Sequence, residues 1–247
     1  MKIIVSNNSL LKSLYANILG NKNYQVSILS ELKCIDEINA NNFDFALISP
    51  LIYSAISKKN DERIIKNSVL VLEDFSGEFT LNITPNKNKL STIFFEEPNE
   101  FLIVATKLLL SVRYGIEPQL AKKSDDADII LTNNSNKNNE KIKNFIKMDL
   151  SEDWFDTFEV PLVLGFWIAS KEKINTKTVE QISSFSAQNI LETEQIKSDC
   201  ASENDFERVG FKYWSWNDSF SKALEKTFDL LYYRNFATHI ADVKFSD

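Results

Sequence analysis

Short apolar runs rich in Ile, Val and Phe alternate along this chain with segments whose apolar residues recur at helical spacing. No other feature restricts the fold as much, because strands alternating with helices predict an α/β fold with largely parallel sheets. Lys2–Val5 reads as a strand, followed by Leu10, Leu14, Tyr15 and Ile18 on one helical face that closes at Gly20. Gln25–Leu29 is strand-like, and Leu32, Ile35 and Ile38 mark a second short helix. Phe43–Ser49 is a buried-strand run that stops at Pro50. Further strands are expected at Val69–Leu72, Glu78–Thr84, Thr92–Phe95 and Ala127–Leu131. Pro98 suits a first helical turn, Phe101, Val104, Ala105, Leu108 and Val112 stripe one face, and Gly115 stops that helix. Beyond the polar TNNSNKNNEK loop, a helix is expected around Val179, Ile182, Phe185 and Ile190, then a strand near Phe211–Trp216. Asn217 or Asp218 caps a final helix carrying Phe220, Leu224, Phe228 and Leu231.

With 247 residues the chain can form one large domain or two lobes, each with a core. Lys and Arg number 28 against 35 Asp and Glu, a formal charge of −7, which argues against binding nucleic acid through its phosphates. The first apolar run, Ile3–Val5, is too short for an export signal, and no segment approaches a membrane span, so a cytoplasmic protein is expected. Cys34 and Cys200 have no paired spacing and read as free thiols. The glycines number five, none within two residues of another, which excludes a phosphate-cradling loop. His239 is the only histidine; zinc coordination lacks ligands, and any serine–histidine triad would have to be built on it.

Taken in order, the first strand with its Ser/Asn loop, FDFALISPLIYS, FLIVATKLLLSVRYGIEP, ADIIL, DLSEDWFDTFEVPLVLGFW and FKYWSWNDSFSKALEKTFDLLYY resemble one family. It is the chorismate dehydratase family of the futalosine route to menaquinone, with its 1,4-dihydroxy-6-naphthoate synthase relatives. RYGIEP, Arg113–Pro118, and the segment from Asp149 to Trp167 carry the resemblance most specifically. It implies a two-lobed, type 2 periplasmic-binding-protein-like α/β fold with a ligand cleft between the lobes. Lobe 1 is expected from residues 1–87 and 172–247, and lobe 2 from residues 88–171. The implied activity is a lyase removing water from chorismate to give 3-[(1-carboxyvinyl)oxy]benzoate, without metal or redox cofactor. The alternative is a non-catalytic small-molecule-binding homologue. The implied partner is a small carboxylate ligand, with neither nucleic acid nor membrane.

By the same resemblance Asn8 is the catalytic-loop residue, and Ser9, Ser49, Asn99, Thr132 and Asn133 are the substrate contacts. The chain also departs from the family. The loop after the first strand is Ser6-Asn7-Asn8-Ser9 and lacks the family's tyrosine and proline; Ile52 stands where an acid precedes the tyrosine. The family's Gly-Asp is replaced by Thr132-Asn133-Asn134, and its Ser/Thr-rich turn by Glu96-Glu97-Pro98-Asn99-Glu100. For an anion at about 4 Å and an effective dielectric near 20, each such acid costs on the order of 4 kcal/mol; the same acids complement the helix dipole. In the Asp149–Trp167 segment, Asp149–Thr157 reads as a polar approach and Pro161–Ile168 as a buried strand. Trp154 and Trp167 read as packing anchors, and Glu152 and Asp153 as solvated or capping acids.

Overall fold

The computed structural model describes residues 1–58, 61–133, 144–187, 192–198 and 206–246. In chain order its first elements are β1 (Lys2–Ser6), β2 (Gln25–Leu29), α1 (Glu31–Asn39), β3 (Phe45–Ile48), α2 (Pro50–Ile56) and β4 (Glu62–Asp74). Then come β5 (Phe79–Ile83), β6 (Thr92–Phe95), α3 (Glu100–Tyr114), β7 (Gln119–Leu120), β8 (Ile129–Asn133), β9 (Ile146–Asp149) and α4 (Leu150–Phe158). The chain continues through β10 (Leu162–Ser170), α5 (Thr176–Ser183), β11 (Thr193–Lys197), β12 (Val209–Ser215) and α6 (Ser219–Tyr233).

A seven-stranded sheet has the order β11-β12-β4-β10-β3-β1-β2, and a five-stranded sheet the order β7-β6-β8-β5-β9. β1 pairs in parallel with both β2 and β3. The expectation of largely parallel sheets needs correction. β10 runs antiparallel to β3, and β5 runs antiparallel to both β8 and β9, so both sheets are mixed.

The chain divides into two compact units, Met1–Val71 with Val163–Glu194 and Tyr213–Asp247, and Leu72–Leu162 with Gln195–Lys212. This differs from a second lobe at 88–171, and strand pairing gives the reason. β5, expected in the first lobe, is hydrogen-bonded between β8 and β9, which carries Leu72–Lys87 into the second unit. β10, expected in the second lobe, pairs with β3 and returns the chain to the first unit.

β10 is buried from Leu162 to Ala169, which is why its sequence is apolar without alternation. Trp167 and Trp154 are both fully buried, as expected of packing anchors. α3 ends at Gly115, whose φ of 64° belongs to the left-handed region; Gly115 N donates to Ser111 O and Ile116 N to Leu110 O. Thus the RYGIEP stretch is a helix stop.

Several expectations shift locally. The helix after β1 is a pair of 3-10 segments, Ser9–Leu14 and Ala16–Ile18, which bury Leu11, Leu14 and Ile18. In α1 the buried face is Cys34 and Ile38, whereas Leu32 is 71% exposed. Pro98 precedes the N-cap of α3, Asn99, rather than entering the helix, and Val112 is exposed on its outer side. Asp149–Thr157 is not a polar approach: Asp149 caps α4. Its apolar stripe Leu150, Trp154, Phe158 repeats every fourth residue and is buried. The TNNSNKNNEK loop from Asn134 onward, Ile190 and Cys200 lie outside the described residues. Among the described residues no helix is long and apolar enough to cross a membrane.

Candidate functional site

In the first unit, polar residues collect where the parallel strands β2, β1 and β3 end. Open α/β sheets bind ligands outside the carboxyl ends of their strands, at a point where successive connections diverge. β1 is such a point: its outgoing connection leads to β2 on one side, and β3 arrives on the other. Asn8 follows β1 and Ser49 follows β3, so two of the residues singled out from sequence leave adjacent strands at one edge.

Each has local work there. Asn8 Oδ1 accepts from Leu10 N at 3.1 Å and caps the Ser9–Leu14 segment, leaving Nδ2 as the donor end of the carboxamide. Ser9 is exposed. Ser49, only 2% exposed, is the N-cap of α2, and its Oγ donates to Glu31 Oε1 at 2.9 Å. Glu31 is itself buried, in the first turn of α1 after β2. The carboxylate holding the Ser49 proton was not singled out from sequence, and neither was Ser6. Ser6 is the last residue of β1, 1% exposed, with an Oγ that makes no hydrogen bond. A buried hydroxyl without a partner is costly, and at a strand end it is a group a bound ligand would satisfy.

In the second unit, β6 and β8 are parallel neighbours, and Asn99, Thr132 and Asn133 stand at or just beyond their carboxyl ends. Asn99 Oδ1 accepts from Leu102 N at 3.1 Å, so this buried side chain caps α3. Thr132 Oγ1 accepts at 3.0 Å from Nδ2 of Asn82, a fully buried amide that also donates to Thr80 O and Ile130 O at 3.1 Å. Asn133, half-buried, stands opposite Phe79 in the ladder. Thr132 and Asp149 both pair with Thr80, forming one polar row across the sheet. Asp149 accepts from Gly77 N at 2.8 Å, Ser151 N at 3.1 Å and Glu152 N at 3.0 Å.

The nearby acids are each paired with an arginine. Asp153 is 8% exposed and meets Arg113 at 3.0 Å; burial pushes its carboxyl pKa up while the guanidinium pulls the other way. Glu152 meets Arg208 at 3.3 Å, and burial raises its pKa too, against the pull of that arginine.

His239 lies beyond α6, with Nε2 3.2 Å from Ser57 Oγ and Nδ1 facing Thr238 Oγ1 at 3.3 Å. Because its second ring nitrogen faces a hydroxyl rather than a carboxylate, the pair does not make a triad. No group of three His, Cys, Asp or Glu suited to a metal ion occurs among the described residues.

The sequence matches no protein-family model and no curated protein. The fold does have solved counterparts. Protein AF1704 from Archaeoglobus fulgidus superposes with a TM-score of 0.57 at 11% identity, over 95% of this chain and 97% of that one. The periplasmic aliphatic sulphonate binding protein SsuA from Escherichia coli gives 0.52 at 10% identity, over 98% and 95% of the two chains. Identities this low establish the architecture alone: the chain has a mixed α/β, type 2 periplasmic-binding-protein-like fold.

Proposed function

We propose that this chain is a small-molecule-binding protein whose first unit receives its ligand at the carboxyl ends of β1 and β3, through Ser6, Asn8, Ser9 and Ser49. The observation that carries the reading is the convergence of Asn8 and Ser49 on adjacent parallel strands, beside the partnerless buried hydroxyl of Ser6. In the second unit Asn99, Thr132 and Asn133 occupy the corresponding strand ends and are proposed as that unit's contacts. Binding is favoured over catalysis because the polar groups are largely committed. The Ser49 proton is directed at Glu31, and both asparagine oxygens cap helices.

A second reading, a chorismate dehydratase-like lyase, follows from the family resemblance and from Asn8 standing at this edge with its Nδ2 to offer. One experiment separates the two. The purified protein is incubated with chorismate, and separately with an aliphatic sulphonate, the ligand class named for the E. coli neighbour. Melting temperature and product mass are followed. Binding without chemistry predicts a melting shift with one probe, lost in Asn8→Ala and Ser49→Ala, and no 3-[(1-carboxyvinyl)oxy]benzoate. Formation of that product installs the lyase reading instead. A shift that survives both substitutions places the ligand elsewhere, and no shift with either probe removes both ligands.

A further inference from the structure

Ser49, Tyr53 and Ser57 are four residues apart and therefore share one face of α2, the helix that Ser49 begins and Ser57 ends. Residues of the segment after α6 run along that face. Tyr53 Oη donates to Asp242 O at 3.2 Å and accepts from Lys244 N at 3.2 Å, and Ser57 Oγ meets His239 Nε2 at 3.2 Å. The same segment is fastened to β4. Ile64 N donates to Lys244 O at 2.7 Å, and Ser246 N donates to Ile64 O at 2.9 Å. Phe245 lies beside Ile64 in a parallel bridge, its ring 5.3 Å from that of Trp216 and 4.7 Å from Lys66 Nζ.

From this arrangement we infer that residues 239–246 brace α2 against β4, and that Tyr53 is a positioning residue holding the helix that presents Ser49. The ligand role of Ser49 rests on the reading above; the brace does not.

The hydroxyl is what separates this from ordinary packing. The Tyr53 ring is fully buried, edge-on to Phe166 at 5.7 Å and stacked on Phe228 at 5.5 Å, contacts a phenylalanine would keep. What phenylalanine lacks is the pair of bonds to two main-chain atoms of one segment, which fix that segment's position along the helix. Burial pushes the phenol pKa up to about 12, so the donor persists across the physiological range. α2 is only seven residues long, so its own hydrogen bonds hold it weakly and an external tie has leverage over it.

The test is amide hydrogen exchange on the full chain, wild type against Tyr53→Phe. Exchange is expected to speed up by about tenfold or more at Ile64, Lys244 and Ser246, and at Tyr53 and Ser57 N–H within α2. Core amides of β3 and β10 should stay as slow as in the wild type. Faster exchange in the C-terminal segment with α2 unchanged overturns the proposal, because the phenol then merely satisfies itself. Uniform acceleration everywhere also overturns it, as general destabilisation. If Tyr53→Phe does not fold, His239→Ala removes a partly exposed tie, and faster exchange at Ser57 is the expected result; unchanged exchange there counts against the brace. The ligand arm is separate. A chorismate-induced melting shift retained by Ser49→Ala overturns the ligand role of Ser49 and leaves the brace standing on its exchange data.

Discussion

A β-carbon added at position 210 would lie 2.3 Å from Phe75 O, 2.4 Å from Phe75 N and 2.5 Å from Glu73 O. All three are backbone atoms, so no side chain can swing aside. Gly210→Ala must push β12 away from the end of β4, and a loss of about 3 kcal/mol is expected in urea denaturation, typical of overpacking at an unyielding site. A midpoint within error of wild type would show that the strands separate freely there. Glu62 is the second residue whose isolation has a consequence. It is 5% exposed, its Oε2 makes no hydrogen bond, and burial pushes its pKa from 4.5 to about 7, with Asp61 adding to the rise and Lys173 opposing it. The folded protein therefore holds this proton more tightly than the unfolded chain does. The contribution to stability is full below pH 4.5, falls as pH rises toward 7, and is gone above it. At roughly 1.4 kcal/mol per tenfold change in proton affinity, the ionised group costs the fold up to about 3 kcal/mol. Glu62→Gln should raise the unfolding free energy at pH 8 and flatten its slope between pH 5 and about 7. An unchanged slope would assign the pH dependence to other acids.

At the scale of elements, legibility followed whether a signal was local. Thr92–Phe95 is bounded as read from its sequence, and Gly115 ends α3 because only the left-handed conformation closes that turn. Ser49 was legible as a turn residue ahead of Pro50, but its partner Glu31 stands 18 positions away and no spacing rule pairs them. The lobe boundaries were misplaced for the same reason. β5 looks alike whichever sheet it joins, and only its pairing to β8 and β9 decides. α4 was obscured by its acids, since Glu152, Asp153 and Asp156 surround the stripe Leu150, Trp154, Phe158. That helix supports a sharp expectation. Asp149 gathers the first-turn amides of α4 and the Gly77 amide of the turn after β4, so removing it frees both. Asp149→Ala should cost about 3 kcal/mol, a lost cap plus a charge-assisted bond. Asp149→Asn keeps a capping oxygen and should cost less than half as much. Equal losses in the two variants would show that the charge, rather than the cap, holds this corner.

At the scale of the whole molecule, the path of the chain matters more than any single contact. It passes between the two units at Val71–Leu72, Leu162–Val163, Glu194–Gln195 and Lys212–Tyr213. The first of these junctions falls inside β4, the third inside β11 and the fourth inside β12, while the second falls at the first residue of β10. Pro/Gly/Ser linkers are the usual boundary between independent domains, and none of these junctions is one. The expectation is therefore one cooperative unfolding transition for the whole chain. Hydrogen exchange in rising urea checks it unit by unit, through Val5 and Leu47 in the first and Leu81 and Ile130 in the second, all of them buried strand amides. The two sets should converge on a single opening free energy, with the same dependence on denaturant. If the second set opened at a distinctly lower free energy, the shared strands would be acting as tethers, and each unit would fold on its own account.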